Sequence, residues 1–497
     1  MQREVRLSEK QTYPALILLL LAGTFLRLAR LDVPSLWLDE AMSVNVAAQD
    51  WAGLLRSARD YFGGLAYFLQ LHLWLSCFGQ DEFVLRLPSA LLSILSLPIL
   101  YQTARRFLDQ RKALLAVLLL TVAPLDIWYA QEARMYSQAS FLGLLCVYGY
   151  LHFRETGAAT FALIYAIAGL AGTYTLYSFP LILLAVNIHF ALTSFWYRYP
   201  RRRWIPWLLA QLGIVVGFLP WLPIFRHHLQ LVASNVRAWQ TLAALFQFLA
   251  RWGISAEQAR RYSFFLIIPA AVGFISLMIW GKGWTATIRR WLDRPWMACL
   301  WGVLPYIGLT ILAAWRPASS IRQLTIGQPY LAIVASAALS RIRRGRSMLL
   351  FALIAVAMVC TIKNYWTPKE QWREAARLVA EAEQPGDAIV YHAYYAKPAF
   401  EYYYRGKSFR KGATKFRDVG PWRELKRNYR RIWLVLSHEI YEDPTEELQK
   451  WFDQNTSFVE ERRLVGIRIR LYETGGAPSP SPLSRTERGD DDHRPVS

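Results

Sequence analysis

Apolar runs separated by short polar breaks dominate the first three-quarters of the chain. Runs at roughly 14–31, 85–104, 113–129, 136–153, 161–178, 180–197, 204–223, 262–281, 296–315, 324–340 and 347–364 stand out. They reach or approach the ~20 apolar residues that carry a helix across ~30 Å of hydrocarbon. The pattern predicts a polytopic α-helical membrane protein with about eleven spans. A shorter aromatic stretch, 61–78, reads as an interfacial or re-entrant helix in the first outer loop (32–84), with a twelfth span as the alternative. At about Thr367 the pattern becomes that of a soluble domain. Thr367-Pro368-Lys369-Glu370 has the form of a capping box with Pro at the first helical position, predicting a helix to about Glu383. Strand-like runs follow at 387–392, 431–436 and 464–471, the last alternating Ile467, Ile469 and Leu471. Helical stretches near 398–404 and 444–453 separate them. The expected organisation is a transmembrane part over 1–366, a small α/β domain over 367–474, and a disordered tail over 475–497 rich in Pro, Ser and charge.

Composition sharpens the membrane assignment. Hydrophobic residues make up 54% of the 497, yet the formal net charge is +21, and the mean hydropathy is positive. Excess Lys and Arg fits a nucleic-acid face only where it gathers on one surface. Here the basic residues cluster in short loops between apolar runs, at 105–112, 198–203, 282–294 and 341–346. With a cytoplasmic N-terminus, each cluster falls on the cytoplasmic side, as the positive-inside rule requires. The 225–261 loop, with five Arg, falls outside; long loops obey the rule poorly. The partner is therefore a lipid bilayer and not nucleic acid. Twenty-one Trp fit interfacial aromatic belts. The N-terminal run reads as an uncleaved first span, because no small-residue cleavage site follows it. Cys77, Cys146, Cys299 and Cys360 lie in apolar surroundings without CxxC spacing, so neither a disulfide framework nor a zinc site follows.

On this topology two acidic loops emerge on the external face. One is Leu36-Trp37-Leu38-Asp39-Glu40, just after the first apolar run; the other runs from Asp126 to Arg134 and holds Glu132. Separated by two spans, they can meet over one cavity. The plainer reading of Asp39 and Glu40 is that they cap the helix that follows. Arg134 suits bidentate phosphate binding; its plain alternative is a salt bridge to Glu132 or Asp126. Arg322 is a second phosphate candidate or an interfacial anchor, and Arg30 is explained by snorkelling. His227 and His228 are sequence neighbours on different helix faces, which favours an interfacial helix from near Phe225 over a metal pair. The Tyr402-Tyr403-Tyr404 run is expected to pack inside the C-terminal domain.

Trp37-Leu38-Asp39-Glu40-Ala41, Leu85-Arg86-Leu87-Pro88-Ser89-Ala90, Ala123-Pro124 and Tyr129-Ala130-Gln131-Glu132-Ala133-Arg134-Met135-Tyr136 occur in that order. Together they resemble the GT-C membrane glycosyltransferases of the protein O-mannosyltransferase and lipid A aminoarabinose transferase superfamily (family 39), nearest the bacterial polyprenyl-phosphate-sugar-dependent branch. A weaker match covers Arg322 to Pro329 and Gly386-Asp387. The resemblance implies a GT-C fold. It also implies inverting sugar transfer from a polyprenyl-phosphate-sugar donor to a hydroxyl acceptor, at the extracytoplasmic face of the cell membrane. By the same analogy Asp39 is the general base, and Glu40 orients the acceptor or supports local structure. Glu132 binds the acceptor or joins Asp39 around a divalent cation, Mg or Mn. Arg134 and Arg322 are the phosphate candidates, Asp126 is the counter-charge of Arg134, and Tyr67 and Tyr136 are counted among substrate contacts. Where many relatives carry His-Pro-Pro, this chain has Gly63-Gly64-Leu65, so that histidine's contact is missing. Two other classes compete: a lipid-linked-sugar transporter and a non-catalytic partner subunit. Transporters place charges near the bilayer midplane on broken spans, whereas these acids lie at loop edges.

Overall fold

The computed structural model describes residues 9–60, 64–233, 295, 297–302, 304–305, 321–342, 344–413, 420–438, 443 and 445–475. Two units divide the chain: Met1–Val33 with Ser43–Thr367, and Pro34–Met42 with Pro368–Ser497. The first is helical; the second is built on a sheet. The sequence boundary near 367 recurs, but Pro34–Met42, assigned above to the transmembrane part, groups with the C-terminal unit.

The helical unit begins with α1 (Glu9–Leu28). After α2 (Leu38–Ala47), which starts in the other unit, come α3 (Trp51–Asp60) and α4 (Leu65–Phe78). The helix α5 (Glu82–Ala104) opens on an Asp81 N-cap whose carboxylate accepts the Val84 N–H at 2.9 Å. Asp109 caps α6 (Gln110–Thr121) in the same way, accepting the Lys112 N–H at 3.0 Å. The expected single span over 113–129 is instead two helices, α6 and α7 (Pro124–Ala130), bent by 57°. Pro124 explains the break: it has no N–H to continue the ladder, and it pushes Ala123 into an extended conformation. Next come α8 (Tyr136–Thr156), α9 (Ala159–Thr175), α10 (Pro180–Tyr197), α11 (Arg201–Phe218) and α12 (Leu222–Ala233). A 3-10 stretch, Ile321–Gly327, leads into α13 (Gln328–Leu339), followed by α14 (Arg346–Trp366).

Among the described residues four helices are long and apolar enough to cross a membrane, or five if α6 and α7 count as one broken span. The expected span 262–281 and most of 296–315 lie outside the described residues. Large apolar side chains such as Phe25, Phe195 and Phe351 remain exposed on α1, α10 and α14, as befits surfaces solvated by lipid.

The C-terminal unit contains α15 (Trp372–Ala382), β1 (Asp387–His392), α16 (Lys397–Tyr403), β2 (Phe409–Gly412) and α17 (Gly420–Asn428). It continues through β3 (Arg431–Leu436), α18 (Glu447–Asn455), β4 (Ser457–Leu464) and β5 (Ile467–Glu473). The sheet order is β2-β1-β3-β5-β4, with β2, β1 and β3 parallel and β5 antiparallel to β3 and β4. Side chains alternate across it. Ile389, Tyr391, Trp433, Val435, Ile469 and Leu471 pack with Trp372, Ala376 and Phe400 on one face. Val390, Ile432, Leu434 and Tyr472 pack with Trp422 and Phe452 on the other. Leu38 and Ala41 join the first of these cores, although more than three hundred residues separate them from it in sequence.

Two local expectations are corrected. The helix after Thr367 starts at Trp372, because Lys369 and Glu370 use their side chains elsewhere and cap nothing. The run read as one strand over 464–471 is the turn and second strand of a hairpin: Leu464 pairs with Ile467 across Val465-Gly466, and Gly466 supplies the positive φ of 74°.

Candidate active site

Glu132 and Arg134 sit on the short turn between α7 and α8. Gln131 anchors its start by donating Nε2 to the carbonyls of Ala29 at 2.8 Å and Arg27 at 3.3 Å, which the end of α1 leaves without helical partners. The Arg134 N–H closes the turn on the Glu132 carbonyl at 2.8 Å. Ser89 of α5 donates to the Arg134 carbonyl at 3.2 Å, and Ser137 of α8 donates to the Tyr129 carbonyl at 3.0 Å. Arg86 donates to the Leu31 carbonyl at 2.8 Å. Both polar members of the Leu85–Ala90 motif therefore hold backbone near the acidic turn. Glu132 is buried, and Arg134 reaches the Ser43 hydroxyl at 3.0 Å. Tyr136 is buried against Tyr129 with ring centroids 5.0 Å apart, and Tyr67 is buried beside Phe68. The 3-10 stretch bearing Arg322 packs against α7 and α8, the helices that flank the turn.

Asp126 does not act as the counter-charge of Arg134. Its Oδ2 accepts Arg27 Nη2 at 2.6 Å and the Ser93 hydroxyl at 2.7 Å, and Arg27 Nε donates to the same Ser93 oxygen at 2.7 Å. The remaining Arg27 donors reach the carbonyls of Gly23, Thr121 and Leu120, all at 3.2 Å. The last two belong to the end of α6, where the Pro124 break leaves carbonyls without helical partners. Arg27 thus stabilises the break and supplies the charge for Asp126. A buried arginine on a membrane helix normally marks a functional or structural pairing, and its position inside the first apolar run was the available signal. Arg30, at φ 61°, lies over the Trp366 ring at 4.4 Å.

The other acidic segment belongs to the C-terminal unit. Trp37 precedes α2 and Glu40 is the third helical residue. Glu40 Oε2 accepts the Trp37 N–H at 3.4 Å, the returning half of a capping box. The same oxygen lies 3.7 Å from Lys369 Nζ, and Glu40 is fully buried. Asp39 is partly exposed. The Leu36 N–H donates to the Tyr403 hydroxyl at 2.7 Å, and the Ser35 hydroxyl donates to the Glu370 carbonyl. Glu370 in turn accepts Trp372 Nε1 at 2.6 Å and lies 3.3 Å from His438 Nε2. Tyr404 is buried, in line with the expected packing of the tyrosine run. Asp39 therefore lies in one unit and Glu132 in the other.

His228 is held on both sides, by the Tyr177 hydroxyl at 2.9 Å and the Arg59 carbonyl at 2.6 Å, within a helix that begins at Leu222. Among the described residues no group of three or more His, Cys, Asp or Glu side chains comes together. A divalent cation such as Mg or Mn finds no three-residue ligand set there. None of the four cysteines forms a disulfide.

Residues 64–224 match the Dolichyl-phosphate-mannose-protein mannosyltransferase family. Among solved structures, apo ArnT from Cupriavidus metallidurans superposes with a TM-score of 0.57 at 16% identity, covering 94% of this chain and 99% of that one. ArnT bound to undecaprenyl phosphate gives 0.56 at 16%, with 95% and 100% covered. The archaeal oligosaccharyltransferase AglB from Archaeoglobus fulgidus, in complex with an inhibitory peptide and a dolichol-phosphate, gives 0.56 at 12%, with 95% and 75% covered. A search of curated protein sequences returns no match. At such identities the superpositions speak to fold, and the matched family speaks to chemistry. Together they define a membrane glycosyltransferase of the GT-C fold. The likeness to the mannosyltransferase family is carried by residues 64–224, and the likeness to ArnT is one of fold.

Proposed function

We propose that this protein moves a sugar from a polyprenyl-phosphate-linked donor to a hydroxyl acceptor, with inversion, on the extracytoplasmic face of the cell membrane. The acceptor is a glycolipid, a lipid A or polysaccharide hydroxyl, or a protein hydroxyl. In this scheme the acceptor oxygen attacks the anomeric carbon while Asp39 takes its proton. The bond from that carbon to the phosphate oxygen breaks, and its electron pair leaves with the lipid phosphate. Arg134 and Arg322 balance the phosphate charge. Glu132 orients the acceptor, and Tyr67 and Tyr136 shape its surroundings.

The observation that carries this reading is the inequality of the acidic pair. Glu40 is enclosed by the Trp37 N–H and Lys369, whereas Asp39 keeps accessible surface on the same helical turn. A proton acceptor must be reachable, and Asp39 is the member of the pair that meets that demand. The test is transfer by purified protein in proteoliposomes supplied with a panel of undecaprenyl-phosphate sugars and membrane extracts as acceptors. Asp39→Asn is expected to lower kcat by roughly 10²–10⁴-fold, the usual worth of a general base, with donor binding retained. Wild-type transfer by that variant rejects the assignment.

A further inference from the structure

We infer that the C-terminal unit sets the direction of Asp39, with Tyr403 and Lys369 as positioning residues for the transfer reaction. The inference rests on the proposed role of Asp39. Residues 34–42 group with the C-terminal unit. Leu38 and Ala41, three residues apart on one helical face, are buried in the core with Trp372, Ala376, Tyr391 and Phe400, and Met42 packs against the same core. That face is fixed by burial, so Asp39, one residue beyond Leu38 and about 100° further round the helix, lies to the side of it, where it is partly exposed.

Three polar contacts then fix the height and rotation of this turn. Tyr403, at the end of α16, accepts the Leu36 N–H at 2.7 Å. The Glu370 carbonyl accepts the Ser35 hydroxyl. Lys369 stands 3.7 Å from the buried Glu40 carboxylate, which itself accepts the Trp37 N–H. Tyr403 and Lys369 come from different elements, yet they clamp the two ends of the five-residue stretch that contains Asp39. None of these groups needs to touch substrate. Each would alter the angle at which the Asp39 carboxylate meets an acceptor proton, and near-attack geometry is sensitive at that scale.

Tyr403→Phe, Lys369→Met, Lys369→Arg and Asp39→Asn are compared in proteoliposomes, with donor KM and kcat measured separately and thermal unfolding followed in parallel. Tyr403→Phe removes one hydroxyl and should lower kcat roughly 3- to 10-fold, the worth of one hydrogen bond, with donor KM unchanged and a fall in unfolding temperature too small to leave the protein unfolded under assay conditions. Lys369→Met should lower kcat further, and Lys369→Arg should restore most of it. If Tyr403→Phe and Lys369→Met keep wild-type kcat while Asp39→Asn is inactive, the positioning inference fails and the proposed function stands. The inference fails likewise if kcat falls only in step with the unfolding temperature, or if Lys369→Arg behaves like Lys369→Met. An active Asp39→Asn instead overturns the underlying assignment.

Discussion

The turn that carries Glu132 and the turn that carries Asp39 are held by opposite means. Around Glu132 the backbone is tied by polar side chains: Gln131 to the end of α1, Ser89 to the Arg134 carbonyl, Arg86 to the Leu31 carbonyl, and Arg27 to the broken end of α6. Around Asp39 the main hold is apolar, through Leu38, Ala41 and Met42 in the core of the C-terminal unit, with a few polar contacts added. Helices surrounded by lipid gain little from burying apolar surface, since lipid is as apolar as leucine. A shape that departs from regular helix in that setting must satisfy its carbonyls explicitly. A sheet domain in water gains directly from burial, so the same task of fixing one acidic turn falls to packing.

If that contrast is right, the largest effect belongs to Asp126. Replacing it by Ala leaves Arg27 buried without its charge partner, at a cost of about 3–5 kcal/mol. The loss should appear as a lower unfolding temperature in detergent and as new protease cuts in the helical unit, with the C-terminal sheet still protected. The double replacement Arg27→Met with Asp126→Leu should recover most of that stability, because removing a buried pair whole is often close to neutral. Failure of the double variant to recover would point instead to the Arg27 bonds with the carbonyls of Leu120 and Thr121 as the larger contribution.

The counterpart is Trp372, which is fully buried at the start of α15. Truncation to Ala should cost about 3–5 kcal/mol through lost burial and the cavity left behind. Proteolysis should then open the C-terminal unit while the helical unit stays resistant. Equal damage to both units would break the comparison.

A smaller effect tests the polar ties one at a time. Gln131→Ala removes the Nε2 contacts to the last carbonyls of α1 and should cost about 1–2 kcal/mol. Transfer should fall more than stability does, because the same side chain anchors the turn holding Glu132 and Arg134. Gln131→Glu, which keeps the length but replaces the donor with a carboxylate, should behave at least as badly as Ala in both assays.

How far the sequence alone reaches follows the same division. The membrane character, β1, β3 and the helical stretch before β2 were legible because each is a local pattern: an apolar run, alternation, or Pro at a helix start. The break at Pro124 was equally local, but an apolar run hides it unless the proline is weighed against the run's length. The edge strands β2 and β4 escaped because they carry charge on consecutive or facing positions, as in Arg410, Lys411, Glu460 and Arg462, which blurs alternation. In the site, the acids and Arg134 were visible as charges at the edges of apolar runs. Their partners were not: Arg27, Ser93, Lys369 and Tyr403 act across separations of tens to hundreds of residues. Lys369 and Glu370 were misassigned for the same reason, since a capping signal and a long-range clamp use the same residue types.

The smallest prediction concerns the entry to α4. Gly64 stands at the N-cap of α4 with φ 88° and ψ 13°, a left-handed conformation that costs a side-chain-bearing residue about 1–2 kcal/mol. A Cβ there would meet Phe68 at 3.5 Å and Met135 at 3.7 Å, which is ordinary contact. Gly64→Ala therefore isolates backbone strain from crowding. Met135 ends the turn that carries Arg134, so a shift of α4 would be transmitted to that turn by contact. The expected result is a modest drop in unfolding temperature with a small change in donor KM, and Gly64→Asn, which tolerates the left-handed region better, should lie between Ala and wild type. An Ala variant as stable as wild type would show that the entry to α4 relaxes freely, and that Gly64 contributes no rigidity to this corner of the helical unit.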